Sequence, residues 1–230
     1  MNFGRAFTYI QEDPEWLKKV AIAALVMLIP IIGQITLLGW SLEITRRVIK
    51  GEPELLPDWS NFGEYLSKGF QAFVISFVYL LPVYIVSGCS QSLGPIVHAI
   101  GENANSDTIQ AMSGVIGIVG ICLSCFLIAY EIVIGFILPA ALANYVVTGQ
   151  ISAGFRFSEI IGLVRAAPGA YFMSLLGMIL GGIVASLGLI ACIIGVLFTS
   201  AYAYAVYAHF WGQAYNAAKA AQGSSVMSTM

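Results

Sequence analysis

Charge is what this sequence has least of. Ten Lys and Arg and twelve Asp and Glu make up 10% of its 230 residues, where soluble domains carry about 25%. A formal net charge of −2 leaves no strong field of one sign, which argues against nucleic acid as a partner. Histidine occurs twice, as His98 and His209. His98 and Glu102 are four apart on a loop and share one helical face, but two ligands alone would hold a metal weakly. No HExxH, no GxSxG and no Walker-type glycine loop occurs. "GVIGIVGI" lacks the strand–turn–helix setting of a nucleotide loop. No enzymatic activity and no cofactor is therefore expected. The four cysteines, Cys89, Cys122, Cys125 and Cys192, all sit in apolar runs. "CLSC" has the spacing of a redox or zinc pair but no accompanying ligands, so these residues read as small hydrophobic packing groups.

What the chain has instead is hydrophobic length. It is 59% apolar, with a mean hydropathy of +0.86. Apolar runs cover 16–49, 70–92, 111–148, 168–188 and 189–215. A helix needs about 20 apolar residues to cross a bilayer, so this is a polytopic membrane protein by composition. The mixed polar segment 1–15 does not resemble a secretory leader, and the first run is expected to stay as an anchor.

The basic residues set the expected topology. None lies between Lys68 and Arg156. The run 16–49 is either one crossing or a hairpin bent at "IPIIGQ", with Pro30 and Gly33 at the bend. One crossing would separate Lys18 and Lys19 from Arg46, Arg47 and Lys50, whereas a hairpin keeps all five on one side. The hairpin is preferred, with that side cytoplasmic. The run 111–148 would make about 57 Å of helix against a core of about 30 Å. It is read as one long helix, tilted or kinked at Pro139. The expected fold is an all-α integral membrane bundle of about six transmembrane helices with both termini cytoplasmic.

Three amphipathic stripes accompany these runs. Phe62, Tyr65, Leu66, Gly69, Phe70 and Phe73 form one; Phe157, Ile160, Ile161 and Val164 another; Phe3, Ala6, Phe7 and Ile10 a third. Each leads into apolar segments, which suggests three cytoplasmic-face amphipathic helices and a threefold internal repeat. The units would be 1–51, 60–150 and 152–218 within a single membrane domain, followed by a flexible tail at 219–230. The stripes are expected to anchor in the headgroup plane or to offer a docking surface.

"EDPEWLKK", "IPIIG" and "RRVIKGEPELLPDWSNFGEYLSKGFQAFV", with the later "GFRFSEIIGLVRAAPGAYFMSLL", resemble a family of archaeal and bacterial multi-pass membrane proteins catalogued only as a domain of unknown function. The resemblance covers nearly the whole chain. It implies a polytopic helical fold in a prokaryotic plasma (inner) membrane, and brings no activity or site residues with it.

The candidate residues are therefore read from the sequence itself. Glu131 interrupts the longest apolar run, with no Lys or Arg at its depth. It is expected to be a largely neutral, hydrogen-bonded acid, with Ser124, Tyr202 and Tyr204 as candidate neighbours. Tyr202 and Tyr204 belong to a dense aromatic tract that otherwise reads as an interfacial belt. Gly177, Gly181 and Ala185 form one small-residue row, and Gly114, Gly117 and Gly120 another, for packing within the bundle or against a second copy. Glu43 is spaced to pair with Arg46 and Arg47. Arg46, Arg47, Lys50, Trp59, Phe62 and Phe70 make up a candidate surface for lipids or a protein partner. "GEPELLPDWS" reads as an exposed linker with Trp59 at the membrane interface. Two functions remain: a non-enzymatic structural or accessory subunit, or a small transporter or channel using Glu131 as a proton or ion site.

Overall fold

The computed structural model describes the backbone of residues 2–101 and 106–227, with side chains except at 93–101, 106–112, 191, 193 and 225–227. The expected His98–Glu102 pair lies outside the described side chains. The described residues are helical, with no strand among them. In order they form α1 (Arg5–Thr8), a 3₁₀ turn (Tyr9–Glu12), α2 (Trp16–Val26), α3 (Ile32–Lys50), α4 (Phe62–Gly101) and α5 (Ser106–Thr148). A second 3₁₀ turn (Ile151–Phe155), α6 (Phe157–Ala166), α7 (Pro168–Leu187), a third 3₁₀ turn (Gly188–Ala191) and α8 (Cys192–Met227) follow.

Three helical segments are long and apolar enough to cross a membrane: Phe62–Ser92, Ser113–Thr148 and Pro168–Ile190. Their most apolar windows are mostly unburied. Val115, Ile118, Ile121, Phe126 and Ile128 each expose more than half their surface. Apolar surface on this scale is stable only against lipid or other protein.

The run 16–49 is a helical hairpin. Pro30 and Gly33 flank the break, as the sequence suggests, and Ile31 adopts a left-handed backbone with φ +65°. Such a conformation strains a β-branched residue by about 1–3 kcal/mol. Gly33 is required there, because a Cβ would fall 1.9 Å from the Val26 carbonyl oxygen. The run 111–148 belongs to one 43-residue helix that contains Pro139. Gly149, left-handed at φ +68°, ends it.

The three stripes do not form three equivalent helices. Phe62–Phe73 is the first part of α4 and continues without a break into its apolar length. Only α6, before Pro168, and the short α1 with its 3₁₀ turn, before Pro14, are set off from the helix that follows. α8 runs on through Lys219, where the tail is expected to begin, to Met227.

The contacts divide the chain into two units, residues 1–76 with 136–230, and 77–135. In the smaller unit Tyr130 donates its hydroxyl to the Tyr79 carbonyl at 2.7 Å, tying α5 to α4. In the larger unit α8 packs against α2, α3, α6 and α7. It can do so because Ala201, Ala203, Ala205, Ala208 and Ala214 are buried and small, so neighbouring helices come close. Trp40, Phe210, Ile10, Leu37 and Ile44 fill the space between. The α7–α8 seam uses the row expected from sequence. A Cβ on Gly177 would strike the Phe210 ring at 2.2 Å, and one on Gly181 the Tyr207 ring at 2.5 Å. Ala185 supplies the carbonyl that accepts from Thr199 at 2.9 Å. Gly114, Gly117 and Gly120 have nothing within 4 Å of where a Cβ would stand.

Candidate functional site

The polar groups of the larger unit gather where α3 ends, α4 begins and α1 lies against α8. This layer starts from a close helix crossing. A Cβ on Gly39 would lie 1.8 Å from the Tyr65 carbonyl oxygen, and one on Gly69 1.8 Å from the Ile35 carbonyl oxygen. The two backbones therefore touch, and only glycine fits at either position. The crossing brings Lys68, one residue before Gly69, to Glu43, four residues after Gly39.

Glu43 is 7% exposed and receives several donors at once. Arg46 Nε donates to Oε1 and Oε2 at 2.9 and 3.0 Å, and Arg46 Nη2 to Oε1 at 2.6 Å. Lys68 Nζ donates to Oε2 at 3.0 Å. Glu52 accepts from Arg46 Nη1 at 2.9 Å, and Glu64 lies 2.7 Å from Lys68. Glu43 lies beyond the apolar stretch of α3 and outside the three long apolar segments. Burial by itself would push its carboxyl up. Hydrogen bonds from Arg46 and Lys68, with their charges, outweigh burial and hold it down at about 2, from 4.5.

The segment after α3 is a folded strap, not the exposed linker its two prolines and acids suggest. Gly51, left-handed at φ +67°, ends α3, and the Glu52 amide returns to the Arg47 carbonyl at 3.0 Å. The strap's own carbonyls then take side-chain donors. Trp40 Nε1 donates to Pro57 at 3.0 Å, Arg47 Nη1 to Glu54 at 3.0 Å, and Lys19 Nζ to Leu56 at 2.9 Å. Leu56 is buried. Trp59 stacks on Trp40 at 5.5 Å and donates to the Lys19 carbonyl at 2.9 Å. It is half-buried against protein. Asp58 caps the turn: the Ser60 hydroxyl and then the Ser60 amide donate to it and lower its carboxyl.

Two clefts open beside this layer. One, of about 400 Å³, is walled by Glu12, Asp13, Glu15, Glu54 and Asp58, with Lys19 its one cation. That lysine is held by Asp13 at 2.6 Å. The other, of about 440 Å³, lies between α1, the end of α3 and α8, and includes Arg5, His209, Gln213 and Asn216.

Glu131 is exposed, and the three residues proposed around it are engaged elsewhere. Ser124 Oγ donates to the Gly120 carbonyl of its own helix at 2.8 Å. The Tyr202 hydroxyl donates to the Phe7 carbonyl, and Tyr204 packs on Tyr207. Glu131 is exposed, with no hydrogen bond or ion pair among the described residues. Of the candidate surface residues, Arg46 and Arg47 are committed to Glu43, Glu52 and the strap, while Lys50 and Phe70 are exposed and Phe62 is half-buried. The four cysteines are exposed and unpaired, so they do not pack inside the bundle.

A family model described as a protein of unknown function, DUF4013, matches residues 22–211. The chain belongs to that family. The DUF4013 match runs from within α2 to Trp211 in α8, so it takes in the Glu43 layer and the strap. It leaves out α1 and the last part of α8, including Arg5, Gln213 and Asn216. No curated protein and no solved structure matches the chain.

Proposed function

We propose that this is a non-enzymatic, multi-pass protein of a prokaryotic plasma membrane that serves as a structural or accessory subunit. In this reading α2, α3, α4, α5, α7 and α8 are six crossings. The Glu43 layer, the strap and α6 form a cytoplasmic cap, and both termini share that side. The charge rule supports this orientation, because Arg5, Lys18, Lys19, Arg46, Arg47, Lys50, Lys68, Arg156, Arg165 and Lys219 then all fall on the cytoplasmic face. The observation that carries the functional half is the distribution of polar groups. In the cap, Glu43, Arg46, Glu52, Lys68 and Glu64 are joined by hydrogen bonds and ion pairs. The apolar lengths offer a transport path little beyond Glu131, whose side chain has no polar companion among the described residues. A protein built this way acts by presenting a fixed surface to lipid, to a protein partner or to a second copy.

Two measurements test it. A cysteine at Gln34 reacts only from outside and one at Ser60 only from the cytoplasmic side; the reverse, or equal reactivity, rejects the topology. Proteoliposomes carry no ion or substrate flux that Glu131→Gln abolishes. Such a flux, lost in a normally folded variant, would replace the accessory reading with a transporter.

A further inference from the structure

The cleft between α1, the end of α3 and α8 is a built site, and its chemistry is that of an anion receptor. Its geometry starts from Gln213. The Asn2 amide donates to Gln213 Oε1 at 2.8 Å, and Gln213 Nε2 donates back to the Asn2 carbonyl at 3.1 Å. This reciprocal pair fixes which end of the Gln213 amide is nitrogen. Gln213 Nε2 also faces His209 Nδ1 at 2.9 Å. An amide nitrogen only donates, so Nδ1 accepts, and neutral His209 carries its proton on Nε2. The ring lines the cleft, is 3% exposed and stacks on Tyr9 at 4.4 Å. Nε2 has no partner among the described residues. The ring is nearly buried, but its Nε2–H, held in one orientation, is not among the buried unpartnered atoms and so stays open to an acceptor from solvent.

The rest of the lining agrees. Arg5 brings a guanidinium whose one ion pair among the described residues, to Glu12, is loose at 3.9 Å, with both side chains more than half exposed. Asn216 Nδ2 is used on the Val48 carbonyl at 3.2 Å, leaving its oxygen to accept a hydroxyl. Glu52 is the one acid in the lining; it shares Arg46, at 2.9 Å, with Glu43 and has Arg47 at 3.8 Å. Val48, Leu55 and Ala217 make an apolar side. The volume, about 440 Å³, falls within the range of small-molecule sites.

We propose that this cleft binds a small phosphate ester bearing a hydroxyl, with Arg5 and His209 Nε2–H on the phosphate oxygens and Asn216 on the hydroxyl. The group comes either from a soluble compound or from the headgroup of an anionic glycerophospholipid. The proposal goes beyond the accessory reading and stands or falls separately from it.

The test follows the histidine directly. Full-length protein with His98→Asn, labelled with ¹⁵N-histidine, gives one imidazole signal. It is titrated in neutral detergent with inorganic phosphate and with glycerol phosphate. It is also compared in nanodiscs of phosphatidylcholine alone and of phosphatidylcholine with phosphatidylglycerol. A saturable shift of the His209 signal in either arm is expected, and the arm that responds names the source. Arg5→Gln, at an exposed position, keeps the circular dichroism and melting of the parent and weakens binding about tenfold or more, the loss of one charge-assisted hydrogen bond. No shift in any arm overturns the proposal. So does an equal response from the Arg5→Gln protein.

Discussion

Replacing Glu43 by Gln separates ionisation from geometry at the centre of the polar layer. The carboxyl is held at about 2 in the folded protein against 4.5 when free. That difference of about 2.5 pH units, at 1.36 kcal/mol each, corresponds to about 3.4 kcal/mol of folding free energy. Arg46 and Lys68 keep 25% and 32% of their side chains exposed. Solvent screening there lowers the figure to about 2–3 kcal/mol. A carboxyl held below its unfolded value stabilises the fold fully above about pH 4.5. The contribution fades as pH falls toward about 2. Glu43→Gln should therefore cost about 2–3 kcal/mol at pH 7, close to what breaking one partner of a buried pair costs. The gap between parent and variant should narrow steadily below pH 4.5 and nearly close near pH 2. Unfolding followed by circular dichroism in one detergent, from pH 7 to pH 2, measures that gap. Taking the difference removes the other acids, which titrate in both proteins. A gap that stays constant across the range would refute the ionic account and leave only shape. No gap at pH 7 would refute the role of Glu43 altogether.

Three further outcomes follow from the packing. Gly69→Ala places a methyl where a carbonyl oxygen stands 1.8 Å away, so α3 and α4 must separate. A loss of at least about 1–3 kcal/mol in unfolding experiments is expected, and an unchanged protein would disprove the backbone contact. Gly177→Leu should destabilise strongly because Phe210 occupies its space, whereas Gly114→Leu should melt like the parent. Equal effects would reject the distinction between the two glycine rows. Trp59→Phe removes the hydrogen bond to Lys19 and part of the stack on Trp40. About 1 kcal/mol and a change in near-ultraviolet dichroism are expected, and neither would appear if the strap were a loose linker.

The parts of the fold that depend on local chemistry were readable in the sequence. Proline and glycine at "IPIIGQ" marked the hairpin bend. The spacing of Gly177 and Gly181 marked a helix seam. What could not be read was which distant residues would meet. Gly39 has no small partner at i+4, so nothing local marks it as a crossing point; its partner is Gly69, thirty positions on. The strap misled for a related reason. Two prolines and three acids describe a loop, but its carbonyls accept donors from Trp40 and Arg47 of α3 and Lys19 of α2. Glu131 misled in the opposite direction. A single acid in an apolar run suggests an enclosure, yet enclosure depends on neighbours, and Tyr202 already serves Phe7.

The ionic layer also has a history within the life of the chain. Acidic residues count for little in orienting a membrane protein during insertion, whereas Lys and Arg near the ends of crossings count for much. In the proposed topology, Lys19, Arg46, Arg47 and Lys68 can thus act first as unpaired orienting charges on an unfolded chain. Once the helices meet, Asp13, Glu43 and Glu52 consume those same charges. On that topology, the signal that sets direction is erased by the structure it makes possible. A mutation there would consequently have two separable effects, a wrong orientation set during synthesis and a weaker fold set afterwards.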